Sequence, residues 1–335
     1  MNERPASPPR PAAGPWTWTR IAKLAFRVAV MVVVMVFIYR AVDSSLRQFD
    51  EQRFDWRAVR PGWLVASGLI YLVGSVPGWW FWHRVMKAMG QQPSIRKSLR
   101  AFYIGHLGKY VPGKAMVVVL RAGMVRDARC DGAVAAAAVF VETLTTIAVG
   151  AVLASMLIAW RFHHDSRLLV LALLLTVAAG VPAWPSVFRR VVLFLKVHRA
   201  SPKIEPALQA LDLRLMGTGW LMLAPSWIIM GGSLWAALAA LPNQPEALHD
   251  PFISLPLFTA CVALALVAGF VSMIPGGVGV REFVVITLLA PTLGEPTAVI
   301  SAVLLRFIWL IAELLVSAAL YWQPRSAADR EASTP

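Results

Sequence analysis

The sequence predicts an all-α polytopic membrane protein, with about six full transmembrane helices and two re-entrant or broken-helix hairpins in a pseudo-symmetric arrangement. Three observations predict it. Of the 335 residues, 58% are hydrophobic and 15% charged, with a mean hydropathy of +0.63, whereas soluble domains carry about 25% charged residues. Apolar runs of roughly 18 residues or more recur, the length needed to cross about 30 Å of hydrocarbon. Two apolar stretches are broken by proline and glycine in similar ways, as YVPGK and MIPGG.

In chain order, residues 1–19 hold five prolines and little that packs, which predicts a short disordered tail. Apolar runs follow near 21–41, 62–82, 133–160, 167–184, 217–241, 253–274 and 296–322. No small-x-small cleavage site closes the first run, so it reads as an uncleaved anchor. Residues 20–322 form one transmembrane domain, and 323–335 a second short polar tail.

Loop charge predicts orientation, because Lys and Arg accumulate on the cytoplasmic side. Arg4, Arg10, Arg20 and Lys23 oppose only Glu3, and 83–100 carries five basic residues and no acid. The loop 185–216 is basic overall, while 242–252 holds Glu246 and Asp250 with no Lys or Arg. Both termini, 83–100 and 185–216 are therefore expected in the cytoplasm, and 242–252 outside. Arg161 and Arg167, in a short outer loop, run against the pattern. The net charge of +14 reads as topology plus attraction to anionic lipid, about 1 kcal/mol for each basic residue near the surface. Basic residues scattered over several loops do not build a nucleic-acid interface.

The stretch GKYVPGKA, Gly108 to Ala115, is one residue short of a nucleotide-binding P-loop. That loop needs Ser or Thr where Ala115 stands, and a soluble strand–loop–helix unit around it. The six histidines show no H-E-x-x-H spacing, there is no G-x-S-x-G elbow, and Cys130 and Cys261 have no metal-ligand spacing. No enzyme activity, cofactor or metal is expected.

The breaks carry the chemistry. The first lies in a hairpin over 98–125, the second in a broken helix over 253–290. Proline ends a helix, glycine turns the chain, and a new helix starts beyond. Its free N–H groups and positive dipole end suit an anion. Paired interruptions of this kind point to a transporter-type site near the bilayer midplane. Lys114, Arg121, Gly113, Gly276, Gly277, Gly279 and Arg281 are the candidate binders of a lipid phosphate. Glu142, Glu282, Arg306 and Glu313, all in apolar surroundings, are candidates to balance those cations or meet a headgroup amine. Thr145 and Thr146 are placed to hydrogen-bond beside Glu142. The competing readings are two ordinary kinked helices, ion pairs that serve stability alone, and a Lys109 that snorkels to the surface.

Tyr110-x-Pro112-Gly113-Lys114 with Arg121, then Glu142, then Pro275-Gly276-Gly277-x-Gly279-x-x-Glu282, then Arg306, resembles the lysylphosphatidylglycerol synthase transmembrane region, also called the flippase-like family. The resemblance covers nearly the whole chain. Thr143 stands where many relatives carry arginine. In bifunctional relatives a cytoplasmic aminoacyl-transferase domain follows this region and makes lysyl-lipid; here the chain ends thirteen residues after Trp322, so the resemblance implies only the translocase-like part. It implies a multi-pass protein of the bacterial cytoplasmic membrane that moves or binds a phosphate-bearing lipid, an anionic or aminoacylated phospholipid or a polyprenyl phosphate. The alternative is a non-transporting accessory subunit of a lipid-carrier glycosyltransferase or lipid-modifying enzyme. A separate cytoplasmic synthase or glycosyltransferase, and a second copy of the chain, are the expected protein partners.

Overall fold

The computed structural model describes residues 56–111, 115–161, 166–194, 201–242, 250–272 and 274–323, together with positions 36 and 47. The tail 1–19, nearly all of the expected span 21–41, and the chain beyond 323 lie outside the described residues. Among the described residues the regular structure is helical, with no strand.

Among the described residues, five helices are long and apolar enough to cross a membrane. They are α1 (Pro61–Ala88), α4 (Gly132–Arg161), α8 (Leu213–Ala239), α9 (Pro251–Val271) and α11 (Glu295–Trp322). Beside them lie α2 (Ile95–His106), α3 (Ala115–Val125), α5 (Ser166–Ala183), α6 (Pro185–Phe194), α7 (Ile204–Gln209) and α10 (Val280–Leu293). Each apolar run expected from 62 onward is helical. The segment 185–216, expected as a loop, instead contains α6, α7 and the start of α8.

Caps explain several boundaries. Ser94 accepts from the Lys97 amide at 3.2 Å, so α2 begins before the expected hairpin start at 98. Asp131 opens α4 by accepting from Ala133 and Val134, and Asp212 opens α8 by accepting from Leu215. Pro61 and Pro296 stand in the first turns of α1 and α11, where the missing N–H costs nothing.

Lipid tails are as apolar as leucine, so close backbone approach and polar contacts must join spanning helices. Helix α1 packs along α8, and α11 covers both. The Ser67 and Ser233 hydroxyls donate to each other's carbonyls at 2.7 and 2.9 Å, and the Trp309 indole donates to Ser233 at 2.9 Å. Ser226 donates to the Gly74 carbonyl. On the other side, α4 packs against α5 and α9, and α9 against α8. Phe81, Trp82, Leu234 and Phe258 lie fully buried in the resulting core.

The two breaks differ in construction. Helices α2 and α3 have twelve and eleven residues, or about 18 and 17 Å at 1.5 Å per residue, too short to cross. They flank the 3₁₀ turn Leu107–Tyr110 and pack against each other. At the second break α9 is already long enough to cross. The chain then turns through Pro275–Gly277, and the fourteen-residue α10 packs back on α9. The second break is thus a full-length helix followed by a short returning helix.

Candidate functional site

Gly276, Gly277 and Gly279 have φ of +60°, +66° and +81°, the region expected for a tight turn and open to glycine. The turn brings the second break against the first. A side-chain carbon at Gly276 would lie 3.3 Å from Tyr110 and 3.6 Å from Arg306 Nη2; one at Gly277 would lie 2.7 Å from Arg281 Nε. These glycines let two side chains from other elements, and Arg281 itself, crowd the turn.

Among the described residues, three ion pairs lie in apolar surroundings, two bordering this junction and one apart from it. Arg121 on α3 donates to Glu142 on α4 at 2.8 Å, with both residues at most 5% exposed. Thr143 and Thr146 also donate to Glu142, at 3.3 and 3.2 Å. Thr145, expected there too, instead bonds the Val141 carbonyl at 2.7 Å. The Arg121 guanidinium lies 4.0 Å from the Phe102 ring centroid, an attractive cation–π placement. Its Nη2 donates to His106 Nδ1 at 3.2 Å.

The second pair joins Lys109 to Glu313. Lys109 does not snorkel away; it is largely buried and tied to the last span. Tyr71 and Tyr110 also donate to Glu313, the latter at 3.1 Å, and His106 Nε2 lies 3.8 Å away. The third pair is Arg306 with Glu282. Glu282 also accepts from the Gly279 amide at 2.7 Å through its other oxygen, so it caps α10. The N-terminus of α10, expected to await an external anion, is thus answered in part by the chain's own carboxylate.

Arg306 and Glu313 share a face of α11 but do not pair. Seven residues separate them by about 10.5 Å along the axis, and each finds a nearer partner on another element.

Between the breaks lies a cleft of about 40 Å³, lined by Lys109, Tyr110, Arg281, Glu282, Arg306 and Trp309 among others. One water needs about 10–15 Å³ on this measure, so the cleft has room for a few waters and is closed to a whole headgroup. Arg281 makes no hydrogen bond or ion pair among the described residues, and its Nε is buried without a partner. Arg306 Nη2 is buried and unpartnered as well. Arg121 Nε shares that status, although its guanidinium belongs to the separate cluster with Glu142.

Of the sequence candidates, Gly276, Arg281, Glu282 and Arg306 line the cleft; Glu313 borders it through Lys109 and Tyr110. Gly277 backs Arg281, Gly279 supplies the amide that Glu282 accepts, and Arg121 and Glu142 sit apart as their own pair. Gly113 and Lys114 lie outside the described residues. Tyr71 and His106 were missed, and Lys109 and Tyr110 were noticed without being assigned to the site. Their signal was weak but present: the chain has five tyrosines, and a hydroxyl within an apolar span needs a partner.

Compared with known protein families, residues 24–317 match the model described as the lysylphosphatidylglycerol synthase TM region. A search of curated proteins returns no match to the chain.

Proposed function

The chain belongs to the lysylphosphatidylglycerol synthase transmembrane-region family, and from that premise we propose that it is a lipid translocase that takes the phosphate of a lipid headgroup between its two breaks. It is a multi-pass integral membrane protein. The observation that carries the proposal is Arg281: a guanidinium between the two breaks, facing a cleft, with no ion-pair partner among the described residues.

A phosphate leaving water needs its charge met and its oxygens bonded. Arg281 and Arg306 offer planar donors suited to phosphate oxygens, and Lys109 adds a third cation. The closed cleft admits a headgroup when the contact between Tyr110 and Gly276 opens. Exposed Ile274, Val278 and Phe283 flank the second break, so the opening faces the acyl phase. Lys114 and Gly113, between Tyr110 and Arg121 in the chain, belong to the same proposal as a further cation and its turn. The loop charges support both termini being cytoplasmic in a bacterial inner membrane.

The test is lipid movement by purified protein in vesicles, followed by quenching of outer-leaflet fluorescent phospholipid. Wild type should accelerate exchange of an acidic phospholipid, and Arg281→Gln should remove the acceleration while keeping a monodisperse, helical protein. Well-folded wild type that moves no lipid would favour the accessory-subunit reading.

A further inference from the structure

We infer that His106 is a proton-binding site, filled as the lipid phosphate draws Lys109 away from Glu313, so that headgroup and proton are taken up together. This deepens the translocase reading and rests on it.

His106 ends α2 between two ion pairs. Arg121 Nη2 lies 3.2 Å from its Nδ1 on one side, and Glu313 Oε1 lies 3.8 Å from its Nε2 on the other. The first contact fixes the tautomer. A guanidinium donates and cannot accept, so Nδ1 carries the lone pair and the ring proton sits on Nε2, on the Glu313 side. His106 is therefore neutral in this arrangement. A second proton, taken from water, adds to the Nδ1 lone pair and removes the acceptor that holds Arg121.

The surrounding charges decide when that happens. Arg121 reaches the ring from α3, with Glu142 of α4 behind it. Lys109 of the 3₁₀ turn and Arg281 of α10 also act on it as cations, and Glu313 of α11 is the carboxylate beside it. Tyr71 of α1 and Tyr110 of the turn connect to it through Glu313. While Lys109 holds Glu313, a further positive charge among these cations has no anion to itself. Lys109 also lines the cleft. When it turns to a phosphate there, Glu313 is left buried without its cation, a costly state. The nearest replacement is His106. Once protonated, its ring gives up Arg121, which keeps Glu142, and closes the gap to Glu313. The His106 side chain is 31% exposed against 2% for Glu313, so a proton reaches the imidazole more readily than the carboxylate.

The full chain in proteoliposomes tests this. Exchange of tail-labelled phosphatidylglycerol is followed from about pH 7.5 to about 5.5, where histidine titrates and a phosphodiester does not. Wild type should accelerate as pH falls, by at most about tenfold per pH unit for one proton. His106→Gln and His106→Asn, neutral throughout, should give flat profiles. Proton uptake is read in parallel, as the pH change when phosphatidylglycerol is added to weakly buffered protein in maltoside, with diacylglycerol as the phosphate-free control. Wild type should take up protons with the phospholipid, and the folded variants should not. A flat wild-type profile, or a slope kept by a folded variant, would overturn the proton site and leave a translocase. If folded wild type moves no lipid at any pH, the translocase reading fails. Uptake then decides: its absence from wild type, or its persistence in a folded variant, overturns the site. If neither variant folds, nitrogen NMR of histidine-labelled wild type replaces them. One imidazole should become doubly protonated on lipid addition, and an unchanged set of rings would overturn the inference.

Discussion

Lys109 and Glu313, 204 residues apart in sequence, form a buried ion pair that ties the first break to the last span. With Tyr71 and Tyr110 donating to the same carboxylate, this pair joins α1, α11 and the 3₁₀ turn at one point. Replacing Glu313 by Gln strips Lys109 of its counter-charge inside apolar surroundings. Breaking one side of a buried pair costs about 3–5 kcal/mol, whereas removing both charges is often neutral. Glu313→Gln should therefore lower the thermal midpoint in detergent, and Lys109→Met with Glu313→Met should recover most of the loss. An unchanged midpoint in Glu313→Gln would show that the pair holds nothing together.

Arg121 and Arg281 should respond in opposite ways. Arg121→Ala leaves Glu142 buried and short of its cation, so it should destabilise by about 3–5 kcal/mol. Arg281→Gln removes a charge that has no partner among the described residues, so its midpoint should stay level or rise while lipid exchange falls. The two variants measured side by side, by thermal unfolding and by vesicle exchange, separate structural cations from binding ones. Equal destabilisation of both would remove that distinction.

The glycines of the second break should be graded. A side chain at Gly277 meets both a positive φ and Arg281 Nε at 2.7 Å, so Gly277→Ala costs more than the roughly 1 kcal/mol of backbone strain alone. Gly279 has φ of +81° but nothing within 4 Å, so Gly279→Ala should show the backbone cost only. The order of thermal midpoints is the readout; a Gly277→Ala protein more stable than Gly279→Ala would contradict the crowding seen around Arg281.

Acid should loosen the link between α2 and the loop entering α4. Partial burial raises the Asp127 carboxyl, but the hydrogen bond from Lys97, the Arg129 amide and the Lys97 charge outweigh it and hold the group below the ordinary 3.8. A depressed folded value means the contribution is fully present above 3.8 and is lost as pH falls through the lower folded value. Wild type should lose more stability than Asp127→Asn as pH falls below 3.8. Parallel loss in the two proteins would mean that Asp127 contributes no acid sensitivity.

The described spans and the turn glycines were legible in the sequence because each follows from local chemistry. Apolar length fixes a crossing helix, and P-G-G-x-G forces a turn whatever surrounds it. The pairing of charges was not legible. Arg306 and Glu313 share a helix face, and Glu282 follows Arg281, yet all of them except Arg281 pair with residues from other elements, and Arg281 pairs with none described. Snorkelling stayed open as a competing reading for Lys109 because its acceptor lies at the far end of the chain. Glu282 read as a counter-charge or an acceptor for a headgroup amine, and its capping role was hidden because it depends on the backbone angle of Gly279.

By itself, the sequence determined that this chain is a helical membrane protein, that its spans run where hydropathy puts them, and that two proline–glycine breaks carry buried charge. Those properties depend on residues near one another in the chain. Tertiary structure alone decided that the breaks meet, that Tyr110 packs on Gly276, and that three carboxylates take cations from other elements while Arg281 finds no partner among the described residues. The physical reason is the apolar surroundings: a charge there takes its partner from whichever element comes within bonding distance, and that distance is set by how the helices pack.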